Sequence, residues 1–114
     1  MTIQTRRARQ KALLRQEISD AARDILAREG FEQLSMRKVA ERIEYSPTAI
    51  YLHFEDKRDL VFQVCEETFG KLVAELASLE TDVKDPVARL REGMRRYVAF
   101  GLRHPQHYLA TFVA

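Results

Sequence analysis

The sequence lacks most of the features that would point to a membrane, a secretory route or an enzyme. Its 114 residues hold a single cysteine, Cys65. One cysteine forms no internal disulfide, so the chain is read as a protein of the reducing cytoplasm. Cys65 itself reads as a half-buried helix residue rather than a reactive thiol. No apolar run approaches the ~18–20 residues that span a bilayer. The opening MTIQTRRARQKALL has basic residues but no continuous apolar segment after them, so it does not read as a secretory signal. No stretch alternates usefully with the strand period of two. A nucleophile–base spacing, a glycine-rich phosphate loop and a convergent carboxylate pair are all missing, so neither catalytic residues nor a cofactor is expected. His104 and His107 stand three apart, but no third ligand is evident beside them, and no metal site is expected. Repeats and low-complexity segments are absent too.

What is present is a helical pattern with uneven charge. Hydrophobic residues make up 46% and charged residues 32%, a globular balance that fits one domain or one domain plus part of a second. The net charge of +2 says little by itself, but its distribution says more. Arg6, Arg7, Arg9, Lys11 and Arg15 precede the first carboxylate, Glu17. Residues 1–58 carry 12 basic and 9 acidic side chains, and residues 59–114 carry 7 and 8. A basic leading segment fits an arm that meets a polyanion in the minor groove or along its backbone. A solvated, disordered tail would show the same charge.

Apolar spacing predicts six helices. Leu14, Ile18, Ala21, Ala22, Ile25 and Leu26 form one stripe, which Gly30 ends. Phe31 and Leu34 then fold back as anchors. Ser35 caps a second helix with Val39, Ala40 and Ile43 inward, and Glu44-Tyr45 is the turn. Ser46 caps a third, residues 47–54, with Pro47 at its first position. Asp56 caps a longer fourth helix with Leu60, Val61, Val64, Thr68, Leu72, Val73, Leu76 and Leu79 in or near its buried face. Gly70 weakens it by ~1 kcal/mol relative to alanine. The polar stretch 81–85 breaks the pattern. Asp85-Pro86 starts a fifth helix with Val87, Leu90, Met94, Tyr97 and Val98 on its inner side, and His104-Pro105 begins a sixth. The fold class is all-α.

Two short amphipathic helices joined by about three residues, over a first helix, make a helix-turn-helix unit. On the third helix Ile50 and Phe54 share one face and should pack inward, while Thr48, Tyr51 and Leu52 fall on the other. A major groove about 12 Å wide admits such a helix, and its short side chains let the backbone approach base edges.

The segment ISDAARDILAREGFEQLSMRKVAERIEYSPTAIYLHFEDKRDLV, 44 residues from Ile18 to Val61, resembles the N-terminal DNA-binding domain of the TetR family of bacterial transcriptional regulators. The markers are Ala21-Ala22, Gly30-Phe31, Ser35 followed by Val39-Ala40, Ser46-Pro47, Ile50-Tyr51, His53-Phe54 and Lys57. The resemblance implies base contacts from Pro47, Thr48, Ala49 and Leu52. It implies phosphate contacts from Ser35, Met36, Arg37, Tyr51, His53 and Lys57. Exposed N–H groups at the start of the second helix and the charge of Arg37 favour an anion there independently. Two positions depart from the family pattern. Glu44 stands where many members have a turn glycine, and must adopt a strained turn at a cost of ~1 kcal/mol or shift the turn. Its carboxylate is expected to point away from DNA. Tyr45 stands where many have valine; it either fills the inter-helix core, the favoured reading, or adds a phosphate contact.

FGLRHPQHYLATF resembles a His-Pro-x-x-Tyr stretch at the start of the family's ligand-binding and dimerisation domain. Met94, Tyr97, Phe100, Gly101, Tyr108 and Phe112 are the candidates for a ligand pocket, though helical core is the favoured reading for any one of them taken alone. Residues 1–60 are therefore expected to form the DNA-binding domain, and 61–114 a connecting helix and the beginning of a regulatory domain. The resemblance implies a cytoplasmic regulator, most often a repressor, released from double-stranded operator DNA by a small-molecule effector. A helical protein-interaction module that keeps the fold without binding DNA is the alternative. The apolar Leu109, Phe112 and Val113 near the end carry the expectation that the functional chain is longer and homodimeric at full length. The 114 residues alone are then a monomer or weak associate.

Overall fold

The computed structural model describes residues 2–112; Val113, one of the apolar residues near the end, lies outside them. All described elements are helices: α1 Ile3–Glu29, α2 Met36–Ile43, α3 Pro47–Tyr51, α4 Lys57–Ala77, α5 Leu79–Asp82, α6 Pro86–Arg103 and α7 Pro105–Phe112. No helix among them is long and apolar enough to cross a membrane. The chain divides into two compact units, Met1–Val64 and Cys65–Ala114, with the division inside α4 rather than at a loop.

The first unit is built around α1, α2, α3 and the first turns of α4. Ile18, Ala22, Ile25 and Leu26 of α1 meet Leu34, Val39, Ala40, Ile50, Phe54, Leu60 and Val64, all essentially closed to solvent. Each buried Val, Leu, Ile or Phe side chain among them contributes about 1.5–3 kcal/mol by leaving water. The ends of the helices are set by single residues. Gly30 takes φ 89°, a backbone that L side chains rarely adopt, and its N–H donates to the Leu26 carbonyl at 3.0 Å. The Ser35 hydroxyl accepts from Lys38 N–H at 3.0 Å, opening α2. Asp56 Oδ1 accepts from Asp59 N–H at 2.8 Å, opening α4, while Asp59 Oδ2 accepts from Glu55 N–H at 2.9 Å. Ion pairs fasten α2 to α1: Arg42 to Asp24 at 2.7 Å, Lys38 to Glu29 at 2.6 Å and, more loosely, Arg42 to Glu29 at 3.9 Å.

The basic leading segment is neither a loose arm nor a tail. Thr2 caps it by accepting from Thr5 N–H, and from Ile3 it continues the helix of the core. Nothing in residues 3–17 breaks a helix, so the helix anchored by the stripe from Leu14 onward is propagated outward toward the N-terminus, with residues 3–13 exposed.

In the second unit Leu72, Leu79 and Phe100 are buried. Phe69 lies 4.8 Å from Phe100 and 5.8 Å from Phe112, ring centre to ring centre. Asp85 Oδ2 accepts from Ala88 N–H at 3.0 Å, so α6 begins where the sequence places it. Between α4 and α6, where only a break was expected, residues 79–82 make the single turn α5, with Leu79 tucked inward. One apolar anchor is enough for one turn.

Three expectations about burial fail here. Val73 is 64% exposed rather than on the inner side of α4. More telling, Val87, Leu90, Met94, Tyr97 and Val98, read as the inner side of α6, are all exposed, from 41% for Tyr97 to 66% for Leu90. The stripe is real, but α6 buries a different edge: Phe100, with Gly93 against the Leu79 and Leu76 side chains. Periodicity finds an apolar face without saying what covers it. The third failure, Tyr45, belongs to the turn described next.

Candidate nucleic-acid interface

The turn between α2 and α3 consists of Glu44, Tyr45 and Ser46. Glu44 adopts the left-handed conformation at φ 61° and ψ 41°, the strained geometry its position demands. Its N–H donates to the Glu41 carbonyl at 3.3 Å, and Tyr45 N–H donates to Ala40 at 2.9 Å, which closes the end of α2. Tyr45 then leaves the core. Its side chain is 46% exposed and lines an open recess of about 600 Å³ with Leu13, Leu14, Leu52 and His53. Val39, Ala40 and Ile50 already fill the space between α2 and α3, leaving no room for a phenol ring.

Ser46 accepts from Ala49 N–H at 3.4 Å and Pro47 occupies the first helical position, so α3 starts sharply. The helix ends at Tyr51, three residues before the expected Phe54. Residues 52–54 continue as a turn in which the N–H groups of His53 and Phe54 both donate to the Ile50 carbonyl at 3.0 Å. The inward and outward faces separate as expected: Ile50 and Phe54 are buried, Thr48 and Tyr51 are exposed, and Leu52 is 76% exposed.

Of the residues assigned to base contacts, Pro47, Thr48 and Leu52 stand in solvent and Ala49 is half-buried. Those assigned to phosphate are more varied. Ser35, Arg37 and Tyr51 are exposed, while His53 and Lys57 are half-buried. Met36 is buried at 6% exposure, so only its backbone N–H, at the open end of α2, is available to an anion. The Lys57 ammonium lies 4.1 Å from the centre of the Phe31 ring, a cation–π contact that holds the start of α4 against the turn between α1 and α2. Burial, with smaller contributions from Arg15 and Lys11, pushes the His53 imidazole below its usual range, which favours the neutral ring.

One residue of this neighbourhood went unrecognised in the sequence. Arg15 of α1 donates from Nη1 to the His53 carbonyl at 2.7 Å, and its guanidinium lies 4.4 Å from the centre of the Phe54 ring. The available signal was its place on the apolar side of α1, one turn before Ile18, where a cation needs a reason.

In the second unit, Met94 and Tyr97 line an open apolar groove of about 550 Å³ together with Leu76, Leu79, Leu90 and Val98. The other pocket candidates form an aromatic group beside it. Tyr97 meets Tyr108 edge-on at 6.3 Å, Tyr108 meets Phe112 at 4.9 Å, and Phe100 packs in tilted contact with both Phe69 and His104. A side chain at Gly101 would touch the Tyr108 ring. His104 and His107 lie 5.6 Å apart, ring centre to ring centre. The described residues contain no cluster of three or more metal-ligating side chains. Cys65 is buried, which raises its thiol above the ordinary range.

An all-α chain whose three-residue turn joins two capped helices, the second presenting a small exposed face, is a helix-turn-helix protein. Residues 18–64 match the family of bacterial regulatory proteins, tetR family. An HTH-type transcriptional regulator of Saccharopolyspora erythraea is 35% identical over 101 residues, covering 88% of this chain and 41% of that protein. The fatty acid metabolism regulator protein of Bacillus subtilis is 28% identical over 96 residues, covering 82% and 47%. Among solved structures, a TetR-family transcriptional regulator of Haemophilus influenzae aligns with a TM-score of 0.54 at 30% identity, covering 90% of this chain and 55% of that one. The fatty acid degradation regulator of Bacillus halodurans shares the fold, with a TM-score of 0.69 over 87% of this chain and 52% of that one. Residues 18–64 belong to the tetR family of bacterial regulatory proteins, and the chain beyond them is similar to TetR-family regulators. It spans less than half the length of these two curated relatives.

Proposed function

We propose that this chain supplies the DNA-binding unit of a cytoplasmic transcriptional repressor whose grip on double-stranded operator DNA is relieved by a small-molecule effector. The observation that carries the reading is the two-sided α3. Ile50 and Phe54 anchor it in the core while Pro47, Thr48, Ala49 and Leu52 present a low, semi-apolar surface outward. Such a surface lets a short helix sit deep in a major groove, where base edges are distinguishable. Tyr51, His53 and Lys57 flank it, and Ser35, Arg37 and the backbone of Met36 mark the open end of α2. These groups hold the phosphates and fix the register.

The second unit supports the regulatory half of the reading. The groove beside Met94 and Tyr97 is apolar, which suits an apolar effector. At full length the protein acts as a homodimer, in which two recognition helices must match two half-sites. An effector that shifts α4 changes their separation and releases DNA. Catalysis has no part in this activity.

Selection of bound duplexes from a random library is the direct test. The proposal expects enrichment of a short motif, altered in sequence by substitutions at Thr48 or Ala49 and merely weakened by Tyr51→Phe. Recovery of no motif, with no duplex retained at low salt, would leave the protein-interaction module as the better reading.

A further inference from the structure

The recognition helix has a weak point at its far end. Only five residues of α3 are helical, and its last turn opens into residues 52–54 before α4 begins. A helix this short takes its orientation from contacts outside itself, since beyond the N–H groups of His53 and Phe54 on the Ile50 carbonyl it has few hydrogen bonds of its own. The N-terminal end is fixed by Ser46 and Pro47, and the inner face by Ile50. The outgoing turn carries His53, a phosphate candidate, and Leu52, a base candidate.

Arg15 reaches this turn from 38 residues away in sequence. It donates to the His53 carbonyl at 2.7 Å and lays its guanidinium over Phe54 at 4.4 Å. A cation at the end of a helix meets the negative end of its dipole, so charge, hydrogen bond and ring contact act in the same sense. Lysine cannot reproduce all three, since it lacks the planar fork and the stacking face.

We infer that Arg15 is a positioning residue for DNA recognition: it locks the turn after α3 and so sets where Leu52 and His53 meet the duplex. The inference rests on the proposed DNA binding. It assigns Arg15 no phosphate of its own: Nη1 donates to the His53 carbonyl and the guanidinium face lies over Phe54, and the salt slope separates this role from a phosphate contact. The contribution is therefore to specificity. Selected sites gain from a fixed recognition helix, whereas generic duplex, held by phosphate contacts alone, gains little.

The test compares wild type, Arg15→Met and Arg15→Lys on the selected duplex and on a generic one, across a range of salt. Circular dichroism and denaturation first establish the folded fraction of each variant. For Arg15→Met, affinity for the selected duplex should fall roughly three- to tenfold, the order expected for one charge-assisted hydrogen bond at an exposed site. Binding to generic duplex should change less than about twofold, and the salt slope should stay as in wild type. Arg15→Lys should fall between the two. A slope lowered by ~1 would make Arg15 a phosphate contact and overturn the inference. Equal losses on both duplexes, or no loss on either, would also overturn it while leaving DNA binding intact. A wild-type chain with no salt-dependent duplex binding would overturn both the inference and the reading beneath it.

Discussion

At the scale of single residues, Glu44 is the clearest case of local strain. A carboxylate-bearing side chain occupies a left-handed position at φ 61°, where glycine carries no penalty. Replacing it with glycine should raise the stability of the first unit by about 1 kcal/mol, read as a shift of the urea midpoint with unchanged slope. An unchanged or lowered midpoint would mean that Glu44 makes a compensating interaction. Ile50 and Thr48 test the facing of α3 in the same way. Ile50→Ala, at a position closed to solvent, should cost ~2–5 kcal/mol, and Thr48→Ala, at an exposed one, less than about 0.5 kcal/mol. Comparable losses would mean that the helix is rotated from the orientation described. Both the strain and the facing are legible in the sequence, because each depends on neighbours within four residues. Tyr45 is not. Whether an aromatic fits a core depends on the volume left by Val39, Ala40 and Ile50, and spacing does not report volume.

Elements show the same division between local and distant causes. Caps at Ser35, Ser46, Asp56 and Asp85 follow from residue type and fall where sequence places them. The tie between α1 and α2 does not, since Asp24 and Arg42 are 18 residues apart. Hydrogen bonds from Arg42 and then Arg28 hold the Asp24 carboxyl below its ordinary value of 3.8. A carboxylate with a depressed folded value contributes stability above its unfolded value and loses it as pH falls through the folded one. The difference in stability between wild type and Asp24→Asn should therefore be full near neutrality and shrink as pH drops below 3.8. Denaturation midpoints across that range check it; a difference independent of pH would remove the ion pair from the account. On α6, Phe100 is 3% exposed and Leu90 is 66% exposed. Phe100→Ala should cost about 3–5 kcal/mol in this chain, whereas Leu90→Gln should change its stability by less than about 0.5 kcal/mol. A large loss from Leu90→Gln would show that the apolar stripe is covered after all.

For the molecule as a whole, the first unit carries every residue of the proposed DNA interface, and the second carries an apolar groove with an exposed stripe. The first was legible because a helix-turn-helix unit is compact in sequence: its turn, both caps and both faces lie within residues 35–57. The second was less so. Its aromatic group joins α4, α6 and α7, and the stripe on α6 looks the same in sequence whether it is covered or open. The claim on which the whole account turns is that the outer face of α3 and its flanking groups bind duplex DNA. It is tested most directly by measuring the association constant for duplex DNA over a series of salt concentrations, for wild type and for Lys57→Ala. For wild type log K should fall linearly with log salt, and for Lys57→Ala the slope should be smaller by ~1. Binding that ignores salt, or a slope that Lys57→Ala leaves untouched, would contradict it.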